Sequence, residues 1–183
     1  MGREILDFTY RPIADRKRGN AVFYTLVSIS AVLVIASVLI GRYKGLVSLA
    51  AVGAFTAALA VYSRYLIGEY AYVVANCGEG SVMFIVTKTT GKRVSTLCNI
   101  SLASIKEIRY APSAELKAEK LPRGVKSYNF CPSMSPVNMI MIKAQSGQEN
   151  MRIFLEGSEA LATRLSDDAR DALISLAEQR EEK

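Results

Sequence analysis

The chain has 183 residues, half of them hydrophobic, with 23 Lys and Arg against 17 Asp and Glu, three cysteines, no tryptophan and no histidine. Without histidine there is no Ser/His/Asp or Cys/His nucleophile arrangement, and the commonest metal ligand is missing. The formal charge of +6 is unevenly placed: residues 1–67 carry eight basic against three acidic side chains, and residues 68–183 carry fifteen against fourteen. The excess therefore lies in the first third, and the remainder has no basic stripe of the kind that holds nucleic acid.

Residues 1–20 form a basic segment with Arg3, Arg11, Arg16, Lys17 and Arg18. An uncharged apolar stretch follows over 21–40, then a five-residue connection containing Arg42 and Lys44, then a second stretch over 46–63 that ends at Arg64. Twenty such residues span about 30 Å as a helix, the thickness of a bilayer's hydrocarbon core, and an arginine at the end of the second can snorkel to the headgroups. The pattern predicts a transmembrane hairpin over 21–67, with helices at about 21–41 and 46–67. Neither stretch has the polar face that a core helix of a soluble all-α protein would show, and Phe23, Tyr24, Tyr43, Tyr62 and Tyr65 gather at the ends, where rings favour the interface. Twenty residues ahead of the first stretch argue against a cleaved signal peptide.

Arg16, Lys17, Arg18 and Arg64 flank the hairpin at its two ends, which predicts a multi-pass cell-membrane protein with both termini cytoplasmic. Each such cation near anionic lipid contributes on the order of 1 kcal/mol. Cys77, Cys98 and Cys131 are odd in number, without disulfide or zinc spacing, in keeping with a reducing compartment and with no metal site. Within the second stretch Ala50, Ala54 and Ala58 fall on one helical line and Gly53 and Ala57 on the next. These are candidate helix-packing residues, for Ser30, Ser37 and Gly41 of the first helix or for another protomer or membrane protein. Neither span holds an acidic residue, lysine or arginine before Arg64, which speaks against an ion pathway.

After Gly68 the pattern changes to short β-branched and aromatic runs, predicting strands over 70–75, 82–88, 93–99, 104–110, 127–131, 138–143 and 151–156. Glycine-bearing turns at 76–80, 89–92 and 146–149 make their flanking strands antiparallel neighbours. Lys88, Lys92 and Arg93 surround the second turn, where a solvated hairpin tip is the first reading and a lipid or partner surface the second. The long connection 111–126 mixes Lys117, Lys120, Arg123 and Lys126 with Glu115 and Glu119, and Pro112 and Pro122 bracket a short helix over 114–121. Its mixed charge favours a solvated excursion, while its place on the same side as the hairpin ends makes it a candidate surface for anionic headgroups or a partner. The Cys131-Pro132-Ser133-Met134-Ser135-Pro136 segment reads as a stiff, poorly paired link without a chemical role. An amphipathic helix closes the chain over 160–177, with a stripe of Leu161, Leu165, Ala169, Ala172, Leu173 and Leu176 and Ser158 as its N-cap. Ser166, Asp167 and Asp168 are a second helix start, so a break is expected near Leu165.

Seven antiparallel strands closed by one C-terminal helix resemble the pleckstrin-homology superfold, and the hairpin in front resembles that of bacterial membrane proteins carrying PH-like domains. The resemblance covers residues 70–179 and rests on the order of elements, with Tyr70-Ala71-Tyr72-Val73-Val74, Val82-Met83-Phe84-Ile85-Val86 and the terminal helix as its markers. It implies a binding or scaffolding module and not a catalyst. Lipid-binding members grip phosphoinositides with a basic cluster in the loop joining the first two strands, whereas here that loop, 76–80, has Glu79 and no basic residue.

The sequence thus predicts an α+β membrane protein in three parts: a basic segment 1–20, a hairpin 21–67 and a PH-like domain 68–183. No Gly-rich phosphate loop or Walker lysine is present, and no cofactor is expected. The preferred function is a non-catalytic interaction or scaffolding module at the cytoplasmic face, binding a protein partner or a second copy of itself by a strand edge or beside the terminal helix. The alternative is an accessory subunit of a larger transport or envelope complex that works through its alanine-rich helix; a membrane-associated enzyme comes third.

Overall fold

The computed structural model describes residues 7–40, 43–77 and 81–181, the last three without their side chains. The chain divides into two compact units: Ala14–Gly68 with Ser133–Ser135, and the remainder. The fold class is α+β.

The first unit is an antiparallel pair of helices, α1 (Lys17–Leu39) and α2 (Lys44–Val61), the second prolonged by a π-helical turn, Tyr62–Leu66. The Asp15 carboxylate accepts the Lys17 N–H at the start of α1, and the Asp15 N–H donates to Ser133 Oγ at 2.7 Å. Small residues set the packing: Gly19, Ser30 and Ser37 of α1 and Ala51 and Ala58 of α2 are buried. At Gly19 the chains pass closely: a Cβ there would lie 3.2 Å from Leu66 Cδ2, which would have to give way. Ser30 Oγ crosses to the Ala51 carbonyl at 3.0 Å, and Phe23 meets Tyr62 with ring centroids 5.3 Å apart. Thr25, Ser37, Thr56 and Ser63 turn their hydroxyls back onto carbonyls of their own helices. These bonds leave the hydroxyls satisfied within their own helices, without a partner from outside.

Away from the charged and polar residues at their starts, the helices turn mainly apolar side chains outward: Val32, Ile35, Val38 and Leu39 of α1 and Leu46, Leu49 and Val52 of α2 are more than half exposed. Two helices are long and apolar enough to cross a membrane, Lys17–Leu39 and Lys44–Leu66, and only 11% of the apolar window of each is buried. The expected loop residues Gly41 and Arg42 lie outside the described residues, as do Gly78, Glu79 and Gly80 of the first β turn.

Among its described residues the second unit has eight strands in two sheets, one more than the sequence pattern suggests. The extra strand is β1 (Phe8–Tyr10), which precedes the helices and pairs antiparallel with β2 (Glu69–Asn76), Phe8 opposite Val74 and Tyr10 opposite Tyr72. β3 (Val82–Thr90) and β4 (Arg93–Ser101) complete the first sheet in the order β1-β2-β3-β4. The second sheet has the order β5-β7-β8-β6, built from β5 (Ile105–Pro112), β6 (Val125–Asn129), β7 (Asn138–Ser146) and β8 (Glu149–Leu155). Here the all-antiparallel expectation fails, because β6 runs parallel to β8. A parallel neighbour needs a crossover, and the proline-bounded link after β6 supplies it. The turns at Gly91 and Gly147 are the tight hairpins expected, with φ of 59° and 60°.

Alternation sends Tyr72, Val74, Phe84 and Val86 from the first sheet and Ile140, Ile142, Ile153 and Leu155 from the second into one core. α4 (Glu159–Glu181) covers it with Leu161, Ala162, Leu165, Ala169 and Ala172. Each fully buried leucine of this set contributes roughly 1.5–3 kcal/mol. Ser158 caps α4 through the Leu161 N–H at 3.3 Å, and the helix continues without the break expected at Leu165. Asp168 instead faces Arg164 one turn earlier, at 3.8 Å.

Tyr72 joins the two sheets: fully buried, its hydroxyl donates to the Phe130 carbonyl at 3.1 Å and accepts the Glu156 N–H at 3.2 Å. β1 is fixed at the sheet edge by side chains as well as backbone. Tyr10 stacks on Tyr72, Arg164 lies 3.9 Å above the Phe8 ring, and the Asp7 carboxylate accepts the Asn76 N–H. The outer face of the second sheet is also covered. A short helix, α3 (Ser113–Ala118), and the link after β6 bury Leu116, Cys131, Met139, Met141 and Phe154 there.

Candidate functional site

The apolar stripe of α4 outruns the sheets it covers. Leu161 through Ala172 is buried, but Leu173 is 53% exposed, and Ile174 and Leu176 are also exposed. Beside this overhang lies a groove of about 650 Å³, walled by Ala103, Ile105 and Ile108 on one side and Ala169, Arg170 and Leu173 on the other. The turn between β7 and β8 closes one end with Gln145 and Gly147. β5 is an edge strand, so backbone donors and acceptors on its outer side have no strand partner among the described residues. A bulge interrupts its inner pairing: Ile105 faces Ala144 and Glu107 faces Lys143, leaving Lys106 as the extra residue. Glu107 is neutralised by Lys143 at 2.9 Å, whereas Lys106 and Arg170 have no ion-pair partner among the described residues. Apolar walls, a free strand edge and two uncompensated cations suit an extended peptide segment with an acidic residue.

A second cavity, about 300 Å³, lies between Lys106, Glu107, Glu119, Pro122, Lys143 and Arg152. Arg152 is only 3% exposed, although it sits in an apolar strand. Its guanidinium donates to Glu119 Oε1 and to the Glu119 carbonyl, each at 3.1 Å. Glu119 also lies 3.3 Å from Lys143 and 3.9 Å from Arg109, which pairs in turn with Glu115. Three cations and three carboxylates thus balance on this face. The Glu107 hydrogen bond, followed by that of Glu119 and outweighing the cost of burial, raises the pKa of Lys143 above the usual lysine range.

The other candidates fall in several places. Lys117, Lys120 and Arg123 are exposed, and Lys126 pairs with Glu149 at 2.6 Å, which raises its pKa. Lys88 lies over the Tyr70 ring at 5.5 Å, while Lys92 and Arg93 are exposed at the hairpin tip of the other sheet, and no described contact joins them to the 117–123 group. Arg16, Lys17 and Arg18 are exposed at the start of α1, and the Gly19–Leu66 contact puts them at the same end of the helix pair as Arg64, whose guanidinium is 5.9 Å from the Tyr65 ring. Ala58 is buried against α1 and Ala54 half-buried, whereas Ala50, Gly53 and Ala57 face outward. Sequence reasoning missed Ala51, one position out of phase, and the Glu119–Arg152 pair. The signal for that pair was an arginine inside Met151-Arg152-Ile153-Phe154-Leu155, since a buried charge requires a partner. Among the described residues no three His, Cys, Asp or Glu side chains converge as metal ligands would. The chain matches no protein-family model and no curated protein sequence.

Proposed function

We propose that the protein is a membrane-anchored, non-catalytic interaction module whose PH-like domain, at the cytoplasmic face of a bacterial membrane, captures an extended segment of a partner protein. The observation that carries this reading is the groove between the free edge of β5 and the exposed end of α4, where Leu173 and Ile108 offer apolar seats beside Lys106 and Arg170. Strand addition supplies affinity through the backbone, and the groove reads the side chains.

Anchoring is supported by the two outward-facing apolar helices and by β1. Residues 8–10 precede the helices and residues 72–74 follow them, yet they share one sheet. A sheet cannot be divided by a bilayer, so both ends of the helical pair stand on the domain's side, as an even number of crossings requires. The basic flanks at a common end of the pair support the cytoplasmic assignment for both termini. Two departures from the PH-like pattern accompany the reading, an eighth strand contributed from ahead of the helices and the parallel β6.

The test is affinity purification of the full chain from its native membrane in mild detergent, beside Leu173→Glu and Arg170→Glu variants and a truncation lacking residues 69–183. Partners lost with the two surface variants and with the truncation support the groove. Partners retained by the truncation refute it and favour the accessory-subunit reading. A specific observation sustains that second reading: Ala50, Gly53 and Ala57 are open on α2, with nothing within 4 Å of a Cβ built at Gly53, so Gly53→Leu is its discriminating variant.

A further inference from the structure

The connection between β5 and β6 is mixed in charge along the chain but sorted in space. Both of its acids turn toward the second sheet, Glu115 to Arg109 and Glu119 to Arg152 and Lys143. The sorting is enforced, because a guanidinium only 3% exposed cannot give up its carboxylate cheaply, so Glu119 is not free to swing outward. What remains on the outside is Lys117, Lys120 and Arg123, all exposed, with no ion-pair partner among the described residues. Between them Leu121 is 47% exposed. Lys106 adds a fourth uncompensated cation across the smaller cavity from Pro122.

We propose that residues 117–123 form a contact for anionic membrane lipid, with the three cations on headgroup phosphates and Leu121 entering the interfacial layer. Cations alone would suit any polyanion. An exposed leucine in their midst suits a bilayer, where apolar burial and charge attraction act together. The inference rests on the membrane-anchored reading, and tether length supports it. β1 and α1 are separated by residues 11–16, and the π turn and β2 by residues 67–68, so the connections reach at most about 20 Å and about 7 Å. The domain therefore works permanently near lipid. At about fivefold per cation, the three should favour contact with an anionic over a neutral bilayer on the order of a hundredfold.

The chain has no tryptophan, so Leu121→Trp introduces a single reporter. The full-length variant is reconstituted in lipid discs of phosphatidylcholine, alone or mixed with phosphatidylglycerol, and read by emission wavelength and by quenching from brominated lipid. Val94→Trp, at an exposed site on β4, serves as the control. The expected result is a blue shift and lipid quenching at position 121 only in anionic discs. Both should be lost when salt rises from about 0.1 M to about 1 M, shortening the Debye length from roughly 10 to 3 Å. Adding Lys117→Gln, Lys120→Gln and Arg123→Gln, all at exposed sites, should lower the contact by the same hundredfold or so. A reporter equally wet in both discs overturns the proposal, as does a shift independent of lipid charge. A shift produced by a soluble polyanion but not by anionic lipid also overturns it. Failure of the protein to enter discs of either kind overturns the anchored reading itself, which separates the two failures.

Discussion

Replacing Glu119 with alanine probes the ion-pair face directly. Among the described residues the carboxylate is the only acidic partner of Arg152, which is 3% exposed and keeps afterwards the carbonyls of residues 119 and 120, at 3.1 and 3.5 Å. Removing one member of a fully buried pair costs about 3–5 kcal/mol. The Glu119 side chain is 33% exposed, so water can approach the vacancy, and the expected loss is about 2–3 kcal/mol. Lys143 also loses a contact but retains Glu107. In a urea titration of the full chain in mild detergent, followed by tyrosine ellipticity, this corresponds to a midpoint lower by about 1 M. Adding Arg152→Met should restore most of the loss, because the pair is then replaced by apolar volume, giving a coupling energy of about 1–2 kcal/mol. A midpoint shift below about 0.3 M would refute the reasoning, as would a double variant no more stable than Glu119→Ala alone.

Other expectations test the rest of the fold. Burial pushes the Tyr72 phenol well above its ordinary pKa, and Lys143 is raised by its Glu107 hydrogen bond. Burial likewise pushes the Cys98 thiol up. Groups raised in the folded state contribute stability that is complete below their unfolded values and lost above them, so melting temperature should be level to about pH 8, begin to fall as unfolded thiols ionise, and fall more steeply beyond about pH 10. Tyr72→Phe should cost about 1–3 kcal/mol at neutral pH, by leaving the Phe130 carbonyl and Glu156 N–H without their partner, and should weaken the alkaline fall; an unchanged pH profile would count against this role. Gly157→Ala places a Cβ 2.7 Å from Leu161 Cδ2 and 3.0 Å from Ile140 Cδ1, both in the core, and should destabilise by about 1–3 kcal/mol in thermal melts. Joining residues 1–13 to 69–183 through a Gly/Ser linker should yield a domain with a single cooperative melt, and further removal of residues 7–10 should lower its midpoint; an equal midpoint would show that β1 contributes nothing.

The strands with clean alternation, such as Val82–Thr90, and the glycine turns at 91 and 147 were readable because local pattern and tertiary burial agree there. β1 was not: Phe-Thr-Tyr is too short to carry a period, and its pairing depends on β2, some sixty residues later. The parallel placement of β6 was equally hidden, since turn chemistry speaks only for hairpins. In α2 the small residues were recognised and Ala54 and Ala58 do turn inward, but Ala51 takes the place expected of Ala50, because a helix apolar all round gives little contrast between faces. The charge of residues 113–126 was visible as a count, while its separation into an inward acidic and an outward basic side exists only once Arg152 is buried. The overhang of α4 was missed because a stripe shows what a helix can cover, not where the covered surface ends.

The position of β1 ahead of the helices has a consequence for biosynthesis. Phe8–Tyr10 leaves the ribosome before both helices but has no β2 to join until they have been made. If the helices are the membrane anchor proposed above, a chain whose second helix failed to insert would have β1 and β2 separated by the bilayer. Phe8 and Tyr10 would have no site, Tyr72 would lose its stacked ring, and the first sheet would keep a raw edge for quality-control proteases. On that reading, closure of the sheet is the step that certifies the hairpin as correctly inserted, so the domain inspects its own anchor.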